Sequence, residues 1–379
     1  MSRFRYFTSI WDTIKEVDLS PLKQQALYGI RIAIVGSPGA GCSSLADRMR
    51  RDPGRPHLAT DTPILILDLD TAEKASNADL IILMMDIRKT DSSREQELVR
   101  DWYNSGKRVL VFINQSEEAE ETSPSTPKTT VSPWASRGRR RVLWGSPLDD
   151  QFLTNKLAPL MIEMLPDRLL SLGRYFPLFR VPIARYLIND TCLSNAAYAL
   201  STGLAETIPV LNFPLVVTDT VILTKNQAFL VYKLGLALGY STRWQDYFVE
   251  FGSVLGSGLM WRQIAHTLVA LIPVWGIVPK TTIAYAGTYV IGNIVLQWYL
   301  TGRHVSKKQI GQLYRQALGR GKDIARNLLR RTPGPHRLRL PRRKSRSLPA
   351  PEAKLTCQSC GKPNEADASF CQYCGKSLG

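Results

Sequence analysis

The chain has 379 residues, of which 44% are hydrophobic, enough apolar content for two or three packed domains. Its formal net charge of +17 is uneven: Thr301 to Gly379 carry 18 Lys/Arg against 4 Asp/Glu, which leaves the rest close to neutral. Six cysteines, four in a terminal quartet and the singletons Cys42 and Cys192 far apart, fit a reducing cytosol better than a secreted, disulfide-stapled chain.

Met1 to Val17 carry Arg3 and Arg5 but no apolar core of signal-peptide length, so no cleavable signal is expected. Phe4, Phe7, Ile10, Trp11 and Ile14 recur at helical spacing. They predict an amphipathic helix within an N-terminal region 1–29, which either packs on the following domain or lies on a membrane.

The β-branched run Ile30 to Val35 predicts a buried strand, and a helix is expected from Ser43. Between them, Gly36-Ser37-Pro38-Gly39-Ala40-Gly41-Cys42-Ser43-Ser44 has the glycine spacing of a phosphate-binding loop, with Cys42 where that loop's lysine belongs. In a working loop the backbone N–H groups cradle phosphates, the lysine offsets β/γ charge and the next hydroxyl holds Mg²⁺. Here the cradle and the Ser43 hydroxyl are kept and the cation is missing. Arg48 is a candidate replacement.

Strand-length apolar runs follow at Pro63 to Asp70, Asp79 to Asp86, Arg108 to Asn114 and Arg141 to Ser146. They alternate with helical stretches at 92–105 and 149–165, the pattern of a doubly wound parallel sheet over 30–168. Residues 116–141 lose all periodicity and read as a loop insertion.

From about Leu169 the chain turns apolar and helical. Thr281 to Leu300 are twenty residues without a charge, long enough to span a bilayer core of about 30 Å. Residues 263–279, with Pro273, Gly276 and Pro279, would pair with them in a hairpin tipped by Lys280. An earlier hairpin, Ile208 to Thr224 and Asn226 to Tyr240, contains Asp219 and Lys233. The competing reading of the whole stretch is a buried all-helical domain. Residues 306–331 predict a basic amphipathic helix interrupted near Gly319 and Gly321, and 332–356 a Pro/Arg-rich tether too poor in apolar residues to fold. Such a basic tail is either a solvated tail or an attractant for anionic membrane or nucleic acid.

Cys357-Gln358-Ser359-Cys360-Gly361 and Cys371-Gln372-Tyr373-Cys374-Gly375 are two CxxCG knuckles. Each folds two thiolates onto one metal, and four complete a tetrahedral structural Zn²⁺ site with no open position, hence a staple and not a catalyst. Two disulfides are the alternative pairing. The segment 357–379 resembles the short zinc ribbon found at the termini of many prokaryotic proteins, and a protein partner for it is expected.

With the glycine loop, the later elements resemble the Era-like branch of small GTPases over residues 30–165. The resemblance implies a P-loop NTPase-like α/β fold with GTP and Mg²⁺ as ligands, bound at Gly36, Gly39, Gly41, Cys42, Ser43, Ser44, Asp68, Asn114, Glu117 and Ser146. The chain departs from the family's pattern in three places. Cys42 replaces the lysine; Asp68-Leu69-Asp70-Thr71-Ala72-Glu73 puts a carboxylate at the glycine of D-x-x-G; Asn114-Gln115-Ser116-Glu117 replaces the guanine-reading N-K-x-D. Thr60 and Thr62 are the candidates for a switch threonine in the 32 residues between Gly36 and Asp68. No catalytic residue is assigned. Trp11 to Leu22, Asn226-Gln227 and Ile283 to Gly292 resemble the YcjF-type hydrophobic domain of bacteria, for which no reaction is known.

The expected molecule is therefore a degenerate GTPase-like α/β domain, an all-α hydrophobic membrane-associated domain over 169–331, a tether and a zinc ribbon. Its expected place is the cytoplasmic face of the inner membrane, as a regulator or scaffold with weak or lost GTP binding. The alternatives are slow GTP hydrolysis, or nucleic-acid or protein binding through the basic tail and ribbon.

Overall fold

The computed structural model describes residues 18–88, 92–115, 141–205, 212–243, 246, 277–302, 305–331, 355–364, 370–371, 373–374 and 376–377. The expected helix within 1–17, most of the 116–141 insertion and most of the 332–356 tether lie outside these residues, as does Glu117. The described chain forms two units: Leu22–Arg185 with Leu236–Tyr240, and Tyr186–Gly235 with residues 18–21 and the chain from Ser241 onward.

The first unit is built on a five-stranded sheet of β1 (Ile32–Gly36), β4 (Leu65–Leu67), β5 (Leu80–Asp86), β6 (Val109–Asn114) and β7 (Arg141–Gly145), in the order β4-β1-β5-β6-β7. All four pairings are parallel. Strands buried on both faces need continuous apolar runs rather than alternation, which is what Ile32-Ala33-Ile34-Val35 and Leu80 to Met85 supply. On one face Ala33, Val35, Leu83 and Val111 pack in a cluster with Leu98, Val99 and Trp102 of α3 (Ser93–Asn104). On the other, α2 (Cys42–Met49), which follows the short α1 (Ser20–Leu27) and β1 in the chain, buries Leu45, Ala46 and Met49.

A short antiparallel hairpin, β2 (Arg51–Asp52) and β3 (Arg55–Ala59), was not expected from the sequence. Its signal is Asp52-Pro53-Gly54, in which the Asp52 carboxylate accepts from Gly54 N at 2.9 Å and from Arg55 Nη2 at 3.0 Å. After β7, Asp149 caps a helical run by accepting from the amides of Gln151 and Phe152. That run passes through a π turn at Leu153–Leu157 into α4 (Ala158–Met164), and α5 (Leu169–Tyr175) follows.

The second unit is helical, formed by most of α6 (Arg180–Ala205) and α7 (Asn212–Ala237) with α8 (Ile277–Thr301) and α9 (Lys307–Arg331). Its interior holds a polar cluster with its partners supplied. Asn226 Nδ2 donates to Asn195 Oδ1 at 2.7 Å, Asn195 Nδ2 donates to Thr288 Oγ1 at 2.8 Å, and Thr288 Oγ1 donates to the Ala284 carbonyl at 2.9 Å. Buried amides are tolerated when satisfied in this way, and they fix the register of the three helices against sliding.

Four expectations for this region are corrected. Among the described residues no helix is long and apolar enough to cross a membrane, so the transmembrane reading of Thr281 to Leu300 fails. The reason is composition: the stretch lacks charge, but Asn293, Gln297 and its threonines and tyrosines dilute its hydropathy. Lys280 is not a hairpin tip. It lies within helix α8 (Ile277–Thr301), one residue after Pro279, and residues 263–276 of the expected hairpin lie outside the described residues. Finally, the pair expected at 208–240 is one continuous helix through Lys225, and α9 runs unbroken through Gly319 and Gly321. Gly321 serves packing, since a Cβ there would sit 3.0 Å from the Thr282 carbonyl of α8.

Candidate phosphate loop and metal centre

In the strand order β4-β1-β5, the chain moves to one side of β1 and then to the other, so a crevice opens at the carboxyl ends of β1 and β5. The loop 37–41 occupies this place, between the end of β1 and the start of α2. Gly39 (φ 84°) and Gly41 (φ 99°) take left-handed conformations, and the Ala40 amide donates to the Ser37 carbonyl at 3.0 Å. This is the glycine turn that aims backbone N–H groups at an anion over a helix start. Ser43 is exposed there and Ser44 half-buried.

Cys42 is buried, and its Sγ would lie 2.9 Å from a Cβ placed on Gly36. The sulfur thus fills the underside of the loop beside the end of β1. Burial, with the Asp68 carboxylate adding to it, pushes the Cys42 thiol up to about 11, so at neutral pH the residue brings no charge of either sign. Alkylation of Cys42 in the native chain, followed by peptide mass spectrometry, is expected to rise with pH about a midpoint near 11. An ordinary thiol midpoint near 8.5 would contradict this placement.

The sequence-derived candidates divide into those brought to the loop and those engaged elsewhere. Asn114, at the end of β6, donates from Nδ2 to the Ala40 carbonyl at 3.1 Å, so it braces the loop, a role that sequence reading missed. Asp68 is exposed, directly before the 3-10 turn Leu69–Asn77 that also carries the exposed Glu73. Ser146 Oγ accepts from the Leu148 amide at 3.2 Å in the turn after β7. Arg48, the proposed substitute cation, pairs with Asp150 at 3.2 Å. Thr60 and Thr62 both donate to the Tyr175 carbonyl, at 2.9 and 2.6 Å, and act as a tie to α5.

At the other end of the chain, the knuckles repeat one backbone pattern. The amide of Cys357 donates to the Lys362 carbonyl at 3.0 Å and that of Cys371 to the Lys376 carbonyl at 2.7 Å. Gly361 (φ 69°) makes the left-handed turn beneath the first pair. Strands β8 (Leu355–Thr356) and β9 (Pro363–Asn364) flank that knuckle. The Sγ atoms of Cys357, Cys360, Cys371 and Cys374 all lie within 4.8 Å of one another, with Cys357 to Cys374 at 3.8 Å and Cys360 to Cys371 at 3.4 Å.

A tetrahedral zinc with bonds of about 2.3 Å separates its sulfurs by about 3.8 Å, so the four residues fit the ion. Residues 356–378 match the zinc-ribbon domain family. That match covers the terminal module alone, and no curated protein matches the chain. Burial works against the Cys371 thiolate, but donation from the Tyr373 and Cys374 amides together with the Cys360 and Cys374 thiols outweighs it and brings the thiol down to about 7. Such amide donation favours the thiolate form that a metal requires. When bound, the ion supplies a closed structural cross-link, and the four thiolates leave it no position for a substrate.

Proposed function

We propose that the chain is a membrane-associated regulatory or scaffolding protein built on a degenerate Era-like GTPase fold, followed by a YcjF-type helical domain and a zinc ribbon that binds a protein partner. The observation that carries the GTPase-like part is the glycine loop at the strand-order crevice, braced by Asn114 and lacking a cation because Cys42 is neutral and turned under the loop. The parallel sheet supports the fold, and the sequence resemblance supports its assignment to the Era-like branch. Membrane association rests on the YcjF resemblance and on the apolar character of the helical unit. Its proposed place is the cytoplasmic face of the bacterial inner membrane.

A charge-assisted contact contributes about 1.5 to 3 kcal/mol, so losing the lysine and the base-reading aspartate together moves a micromolar ligand toward millimolar. Titration calorimetry with GTP, GDP and ATP in Mg²⁺ is expected to give affinities weaker than about 100 μM. Cys42→Lys is expected to tighten GTP by at least about tenfold. A wild-type affinity in the low micromolar range, with turnover abolished by Gly41→Val, would replace the regulatory reading with slow hydrolysis.

A further inference from the structure

Helix α9 is amphipathic, but its two faces have different partners. Tyr314, Ala317, Gly321 and Ala325 are buried, and the helix lies along α8, where Gly321 approaches Thr282 and Arg320 sits over the Tyr289 ring at 5.8 Å. At about 100° per residue, Lys308, Arg315, Lys322, Arg326 and Arg330 fall within an arc of about 80° on the opposite side. All five are exposed. The helix contains a single acid, Asp323, which stands 4.0 Å from Arg326. Among the described residues no carboxylate lies within ion-pair distance of Lys308, Arg315, Lys322 or Arg330. Between and beside these cations lie Gly311, Gln312, Gln316 and Gly319, and one edge of the row is bordered by the half-buried Leu318 and Leu329.

We infer that this row of five cations is a docking surface for the anionic headgroups of a lipid bilayer, an inference that rests on the membrane association proposed above and names the contact that makes it. Three observations favour a bilayer. The row is straight and about 33 Å long from Lys308 to Arg330, so all five charges can meet one plane together. It is also narrow. A helix seated in a nucleic-acid groove has phosphates on both flanks, whereas here one flank approaches α8 through Arg320 and the other carries the half-buried Leu318 and Leu329. Lastly, the apolar face of α9 is already occupied by α8, which leaves electrostatic attraction, and not insertion, as the means of attachment.

The test uses the full-length, zinc-loaded protein and two vesicle compositions, phosphatidylcholine alone and phosphatidylcholine with 30% phosphatidylglycerol. The quadruple variant Lys308→Gln, Arg315→Gln, Lys322→Gln and Arg330→Gln is compared with a variant in which Arg337, Arg339, Arg342, Arg343 and Arg346 of the tether are changed to Gln. Circular dichroism verifies that both keep their helix content. The wild type is expected to cosediment with the anionic vesicles and to be released by 500 mM NaCl, and the helix variant to partition at least tenfold less. Equal partitioning of helix variant and wild type overturns the inference, as does loss confined to the tether variant. Equal, salt-insensitive binding to both vesicle types also overturns it while leaving membrane association through the apolar helices standing, and binding to neither overturns both. A 30-base-pair duplex measured at the same salt is the last arm: tighter retention there than on anionic vesicles, lost in the helix variant, would reassign the row to nucleic acid.

Discussion

Removing zinc is expected to unfold residues 357–377 and leave the parallel sheet intact. Among the described side chains of this segment only Cys357 and Cys371 are buried, so the sulfurs and their metal are its core. A module of this size has too little apolar surface to offset the entropy of ordering its chain. Structural zinc supplies about 10 to 16 kcal/mol in comparable peptides, and that binding energy is the module's folding energy. One zinc per chain by elemental analysis is expected to fall to none after chelation. Amide cross-peaks of the segment would then collapse into the unfolded range, and the tether–ribbon junction would become a site of proteolysis. Cys360→Ser is expected to weaken zinc binding by orders of magnitude, because it substitutes an oxygen of high pKa for a thiolate. Retention of native cross-peaks in the metal-free chain would show that the ribbon has some other source of stability.

The parts of the molecule that were legible in the sequence are those where local chemistry has one solution. Two CxxCG knuckles admit few arrangements besides a shared metal. Runs such as Leu80 to Met85 are too apolar for any position except a strand buried on both faces, and the helix at Ser93–Asn104 keeps its period. What escaped was decided by tertiary partners. Thr60 and Thr62 looked like candidates for a switch threonine, but their acceptor is the carbonyl of Tyr175, 115 and 113 residues away. Gly319 and Gly321 looked like interruptions because glycine is a poor helix former. At Gly321 the cost is offset by the close approach of α9 to α8, which no window along one helix reveals. The apolar stretch of α8 raised a different ambiguity, since a helix buried among other helices and one buried in lipid have similar compositions. Its Thr288, taken up in a cluster with Asn195 of α6 and Asn226 of α7, favours the protein interior.

The glycine loop offers the sharpest separation of conformation from packing, because Gly36 and Gly39 are glycine for different reasons. Gly39 has a positive φ of 84° and nothing within 4 Å of the place a Cβ would take, so Gly39→Ala is expected to lose only the left-handed backbone preference, about 1 to 2 kcal/mol. Gly36 does not have a positive φ, but its Cβ would stand 2.7 Å from the Met84 carbonyl oxygen and 2.9 Å from Cys42 Sγ. The first of these atoms belongs to the paired backbone of β5, where Gly36 and Met84 are in register, so it cannot rotate away. Gly36→Val must therefore separate two central strands of the sheet or lose the strand end, at a cost of about 3 kcal/mol or more. In a unit of this size that corresponds to a fall in Tm of roughly 6 to 12 °C by calorimetry, against about 2 to 8 °C for Gly39→Ala. Adding Cys42→Ala to Gly36→Val is expected to recover part of the loss, since it removes the sulfur while the Met84 carbonyl stays. If Gly36→Val melts no lower than Gly39→Ala, the close packing of β1, Cys42 and β5 beneath the loop is wrong, and with it the physical reason given for a loop that keeps the shape of a phosphate cradle without its charge.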